Sequence, residues 1–137
     1  MSSRSESSSH VAPPRQAELR ACAPKPPVAK RALLPETDAA RLEATFKMLA
    51  NATRLRLLHA LIRQPELCVT ELAATIGMKP QAVSNQLQRL VDRGILASRR
   101  NGIQIHYRIV DACVISLLDQ GWCLTDDADA GRRNTAR

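Results

Sequence analysis

Aromatic residues are scarce in this chain: one Phe, one Tyr and one Trp among 137 residues. At 45% hydrophobic residues a core can still form, but Leu, Ile, Val and Ala must build it. No apolar run approaches the roughly 20 residues that span a bilayer, so no membrane segment is expected. The first 30 residues lack the apolar stretch of a secretory signal. They are rich in Arg and Ser, as in a transit peptide, yet Glu6, Glu18 and scattered prolines oppose the amphipathic helix such a peptide needs. Four widely spaced cysteines are too few for a disulfide scaffold and fit a reducing, cytoplasmic setting. There is no Gly-rich phosphate loop, no paired carboxylates in a cleft and no nucleophile–base pair, so no enzyme is expected.

What the chain does contain is ordered helical patterning between two polar ends. Residues 1–36 are dominated by Ser, Pro, Ala and basic side chains and read as a flexible extension. The folded domain is expected over 37–125, and 126–137 reads as a disordered, solvated tail. Thr37 can cap a first helix in which Leu42, Phe46 and Leu49 recur at helical spacing. Asn51 or Thr53 starts a second, with Leu55, Leu58, Leu61 and Ile62 inward and Arg54, Arg56 and Arg63 outward. Glu66 to Val69 reads as a connector, and Thr70 as the cap of a short helix from Glu71 to Ile76.

After the turn Gly77-Met78-Lys79 comes the most informative stretch, Lys79 to Gly94. Pro80 suits the first helical position and Gly94 the left-handed residue that stops a helix. Val83, Leu87, Leu90 and Val91 share one face, while Gln81, Asn85, Gln88 and Arg89 point the other way. In isolation such a face also describes an ordinary solvated helix. Two helices around a short Gly-containing turn, the second polar outside, form the helix-turn-helix pattern.

Beyond Gly94 the period becomes alternating. Leu96–Arg100 and Ile103–Ile109 flank Asn101-Gly102, a strong two-residue hairpin signal. Ile103, Ile105, Tyr107 and Ile109 share one strand face, so the hairpin is expected to be half buried. A helix-turn-helix followed by a hairpin predicts a winged helix: a mainly α fold with a small β-hairpin wing. Six basic residues (Lys79, Arg89, Arg93, Arg99, Arg100, Arg108) and one acid, Asp92, lie between Lys79 and Arg108, in a chain of net charge +7. Clustered positive charge beside such a helix is a footprint for phosphate. Asp111 can cap a last helix to about Leu124, with Val114, Ile115, Leu117, Leu118 and Trp122 as its stripe. Surplus apolar surface on the first and last helices points to a dimer interface, or simply to padding of one core.

These motifs resemble the ArsR/SmtB family of bacterial metal-responsive repressors over roughly Leu42 to Leu124. The resemblance rests on four stretches of this sequence. They are Met48-Leu49-Ala50-Asn51-Ala52-Thr53-Arg54-Leu55-Arg56-Leu57-Leu58, Glu66-Leu67-Cys68-Val69-Thr70-Glu71-Leu72-Ala73, Val83-Ser84-Asn85-Gln86-Leu87-Gln88-Arg89-Leu90, and the wing through Tyr107-Arg108. It implies a homodimer that places two recognition helices in successive major grooves of operator DNA and represses a resistance operon until an inducer releases it. By the same resemblance Gln81, Ser84, Asn85 and Gln86 face DNA, and Arg100 and Gln104 belong to the DNA-contacting wing. Lys79, Gln88, Arg89 and Arg99 complete the expected DNA-binding set.

Soft thiolates select soft ions, and His10, His59 and His106 lack ligand spacing. The candidate ligands are therefore Cys22, Cys68, Cys113 and Cys123. Cys68 resembles the first cysteine of a Glu-Leu-Cys-Val-Cys-Asp-Leu motif of arsenic and cadmium/lead sensors, whose second cysteine is Thr70 here. Lying just before a helix start, it is also where a helix dipole can lower a thiol pKa; the plain alternative is a small core residue. Cys22 matches an arm that, in some family members, completes the partner subunit's site. Cys113 and Cys123 lie ten residues apart on the last helix, about 15 Å along its axis, so they cannot share an ion within one helix. Asp111 and Cys113 resemble the Asp and His that open a C-terminal-helix site in some members. Cys68 is the leading candidate and Cys22 its natural partner; two such thiolates suit mercury(II), so the expected inducer is a thiophilic ion of the mercury(II) or arsenite class, with cadmium and lead behind. A thiol-redox repressor and a winged-helix protein-interaction module are the competing readings.

Overall fold

A computed structural model describes residues 19–21 and 23–135. Five helices, α1 (Glu36–Leu49), α2 (Ala52–Arg63), α3 (Val69–Ile76), α4 (Pro80–Asp92) and α5 (Ala112–Thr135), enclose a small antiparallel sheet. Its strands are β1 (Leu67–Cys68), β2 (Leu96–Asn101) and β3 (Gln104–Ile109), in the order β1-β3-β2. This is the expected mainly helical winged helix-turn-helix. The core is aliphatic: Leu57, Leu58, Leu72, Val83, Leu87 and Leu90 are fully buried, with Tyr107 its one enclosed aromatic among the described residues. Burial alone raises the Tyr107 phenol above its ordinary pKa.

Helix ends follow local chemistry, with two departures from expectation. Asn51 caps α2, its side-chain oxygen accepting from the Arg54 N–H at 3.0 Å. Pro80 opens α4, and Gly94 follows it at φ 73°. Thr37, however, lies inside α1, whose N-cap is Pro35. Thr70 lies inside α3, whose N-cap is Cys68. There the carboxylate of Glu71 accepts from the Cys68 N–H at 3.3 Å, the reciprocal contact of a capping box. That contact and the pairing of Leu67 with Tyr107 convert the expected connector into β1 and start α3 early.

The wing differs in register. Asn101 pairs with Gln104, so the two-residue loop is Gly102-Ile103 rather than Asn101-Gly102. Gly102 alone takes a positive φ, 64°, and Ile103 does not, which matches a turn with Gly at its first central position. A loop on Asn101-Gly102 would force a positive φ on Asn101 as well. The shift leaves Ile103 at the tip, 99% exposed, instead of on the buried face. Burial of that face fades outward from Ile109 and Tyr107 through half-exposed Ile105.

Two more readings of the helices are corrected. Arg54, expected outward, is buried at 8% exposure, while Leu55, expected inward, is partly exposed. The last helix continues to Thr135 instead of ending near Leu124, and every described residue from Asp119 onward is exposed. Its distal turns carry local contacts, an Arg132–Asp129 pair and a Thr125 hydroxyl donating to the Gly121 carbonyl.

Candidate DNA-binding face and thiol sites

The apolar stripe of α4 anchors it through Val83, Leu87 and Leu90, and this fixes what faces outward. Gln81, Asn85, Gln88 and Arg89 are exposed on that face; Ser84 and Gln86 are half-buried at its flank. Lys79 is the exposed N-cap residue. Gln81 Nε2 donates to Asn85 Oδ1 at 3.2 Å, and Gln88 Nε2 donates to Asp92 Oδ1 at 2.8 Å. The first pair leaves Gln81 Oε1 as an acceptor and Asn85 Nδ2 as a donor, the two kinds of group that adenine's major-groove edge meets. Gln86 is turned differently: its Oε1 accepts from Arg54 Nε at 2.8 Å.

The wing brings Arg99, Arg100 and Gln104 onto one exposed hairpin, with Arg100 opposite Ile105 and Gln104 opposite Asn101. Arg99 is held, its Nε and Nη2 donating to Glu66 Oε1 at 3.0 and 2.7 Å. Glu66, which sequence reasoning left in a connector, thus ties the wing to the segment before α3. Arg100 and Gln104 extend beyond that anchor. A rigid helix face of amides beside a basic hairpin is an arrangement that can read base edges and hold phosphates.

The cysteines of the described residues lie apart along the fold. Cys68 is 2% exposed, and its Sγ lies 3.1 Å from Thr70 Oγ1. Hydrogen bonds from Cys68 hold the Glu71 carboxyl below the usual carboxylate range, with His106 adding to the effect and desolvation opposing it. Among the described residues no three His, Cys, Asp or Glu side chains converge to hold a metal ion. Cys123 is a free, exposed thiol. Cys113 is exposed in the first turn of α5, its backbone N–H donating to Asp111 Oδ1 at 2.8 Å, and it is disulfide-bonded. Cys22 lies outside the described residues.

The sequence carried no signal for what Arg20 does. Its N–H donates to the Val110 carbonyl at 2.9 Å and its carbonyl accepts from Ala112 at 3.1 Å, a parallel bridge opposite Asp111. Arg20 is therefore laid against the start of α5. Nearby, α1, α2 and α5 line an open apolar groove of about 800 Å³ with Phe46, Leu55, Ile62, Leu118 and Trp122. No helix among the described residues is long and apolar enough to cross a membrane.

Residues 51–102 match the profile of the MarR family. The chain is 33% identical, over 67% of its length and 82% of the relative's, to the arsenical resistance operon repressor of Escherichia coli (strain K12). It superposes on the AntR antimony-specific transcriptional repressor with a TM-score of 0.68 and 57% identity, covering 80% of this chain and 98% of that one. The homodimeric winged helix-turn-helix DNA-binding domain Mb0332 from Mycobacterium bovis matches with a TM-score of 0.57 and 32% identity, over 71% and 92% of the two chains.

Proposed function

The chain belongs to the ArsR/SmtB family of metal-responsive winged helix-turn-helix repressors, and from that premise we propose a homodimer that binds operator DNA until a thiophilic metal or metalloid ion releases it. The family consists of transcriptional repressors, not enzymes. The observation that carries the DNA-binding half is the exposed amide row of α4 beside the basic wing. In this reading Gln81, Asn85 and Gln88 address base edges. Lys79, Ser84, Arg89, Arg99, Arg100 and Gln104 hold backbone, and Gln86 serves the helix from its flank. The protein acts in the bacterial cytoplasm.

For the inducer, the bridge of Arg20 to Asp111 favours a pairing of the arm with α5. Cys22 follows Arg20 by two residues in the sequence, and Cys113 adjoins Ala112, which bonds to Arg20. We assign the principal ligands to Cys22 and Cys113, with Cys68 a capping residue of α3. Two thiolates suit mercury(II); trivalent arsenic and antimony, the elements to which the relatives' names refer, recruit a third donor. Cadmium and lead, which take more thiolates, rank behind. Ion binding then links the segment at Arg20, already paired with the start of α5, to Cys113 and alters the dimer geometry; a coupling of about 1–3 kcal/mol is typical of such effects.

The test is titration of operator-bound, reduced protein with mercury(II), arsenite, antimonite and cadmium, alongside four single Cys→Ser variants. Cys113→Ser and Cys22→Ser are expected to raise the ion concentration for release about tenfold or more, a coupling of about 1.4 kcal/mol. Unchanged release by Cys113→Ser would discard this site. The disulfide at Cys113 favours a second reading, in which oxidation replaces metal binding. Release by peroxide in the presence of a chelator, without any ion, is its signature.

A further inference from the structure

Among the described residues the one buried polar or charged side chain is Arg54, and it sits where three helices meet. Its Nε donates to Gln86 Oε1 of α4 at 2.8 Å, and its Nη1 donates to the Met48 carbonyl in the last turn of α1 at 2.8 Å. Its own backbone N–H is held by the Asn51 cap at the start of α2. Both side-chain acceptors are neutral oxygens. The position is a costly one for a cation, since the first turn of a helix carries positive dipole and burial removes hydration. The α1 terminus supplies part of the compensation, because unsatisfied carbonyls at a helix end attract positive charge. An apolar side chain of similar volume would fill the space without that cost. Stability alone therefore does not call for arginine here.

Geometry does. A guanidinium carries several donors in one rigid plane, so it can bind two acceptors on different helices at once. It has no acceptor, so the Gln86 carboxamide must turn its oxygen inward and present its NH2 elsewhere. We infer that Arg54 is a positioning residue for DNA binding, locking the recognition helix α4 through Gln86 to the end of α1. The inference rests on the proposed function, a homodimer whose α4 reads DNA, with the dimer interface on the first and last helices as their apolar surface leads one to expect. Movement of α1 at that interface is then passed to α4 through one side chain.

The full-length reduced protein tests this, with duplex selected from a random pool by the wild type. Operator affinity, its salt dependence, thermal stability and dimer mass are measured for Arg54→Met, Arg54→Lys, Gln86→Leu and the Arg54→Met/Gln86→Leu double variant. The dimeric Arg54→Met protein, well below its Tm, is expected to lose about tenfold or more in operator affinity, in line with loss of a charge-assisted hydrogen bond. Its salt slope should stay that of the wild type, because Arg54 touches no phosphate. The double variant should bind no more weakly than the weaker single variant, since the two residues act as one link. Should Arg54→Met not fold, Arg54→Lys carries the test. Lysine keeps the charge but lacks the planar fork, and a several-fold loss is expected. Wild-type affinity in a folded Arg54 variant, a lower salt slope, or fully additive losses would overturn the inference. Failure of the wild type to select any DNA would instead overturn the functional reading beneath it.

Discussion

Glu71 shows how one side chain sets both a helix start and a pH response. Its carboxylate accepts from the Cys68 N–H and is held below its ordinary pKa chiefly by hydrogen bonds from Cys68. A carboxylate with a depressed folded pKa stabilises the fold above its unfolded value and loses that contribution as pH falls through the folded value. Resistance of the wild type to urea should therefore fall as pH drops below 4.5, and Glu71→Gln should remove part of that decline while lowering stability at neutral pH. An unchanged acid limb in Glu71→Gln would remove the residue from the account. Cys68 was visible in the sequence as a thiol near a helix start, but its role as the cap was not. Threonine is the stronger capping type, and only the pairing of Leu67 with Tyr107 and Cys68 with His106 moves the start to Val69. Arg54 was more legible than its outward reading allowed. It lies three, four and seven residues before Leu57, Leu58 and Leu61, on the buried stripe of α2.

At the scale of elements, the turn between α3 and α4 sets how the recognition helix leaves the core. Gly77 ends α3 at φ 70° and ψ 38°, and a Cβ there would meet nothing within 4 Å. The cost of a side chain is therefore conformational rather than steric against neighbours. Gly77→Ala should destabilise by about 1–2 kcal/mol in denaturant melts, and Gly77→Asn by less, because asparagine tolerates the left-handed region. Equal losses in both would point to a cause other than backbone conformation. The helix-turn-helix was readable because Pro80, Gly94 and the stripe of α4 all agree. The hairpin was readable as a hairpin but not in its register. Asn101-Gly102 and Gly102-Ile103 are both acceptable two-residue loops locally. The pairing of Leu96 with Ile109 and Ser98 with Tyr107 accompanies the second choice and seats Leu96, Tyr107 and Ile109 in the core.

For the whole molecule, the groove among α1, α2 and α5 leaves Phe46 at 48% and Trp122 at 69% exposure. Large apolar side chains clustered in this way mark an association surface. A second copy of the chain is the occupant under the proposed function, consistent with the homodimeric structure to which this chain is similar. Phe46→Glu combined with Trp122→Glu should shift sedimentation from dimer to monomer and lower operator affinity, while thermal unfolding remains cooperative. A persistent dimer would place the interface elsewhere.

The linear sequence determined the order of the five α-helices and the hairpin, the aliphatic composition of the core, the polar face of α4 and the presence of a wing. Each follows from local periodicity, caps and turn residues, which act over a few positions. Tertiary structure alone decided three things: the partners of Arg54 (Gln86 and the Met48 carbonyl), the wing register that exposes Ile103, and the bridge of Arg20 to Asp111. Those depend on contacts between segments distant in the chain, where pairing and burial override local preference.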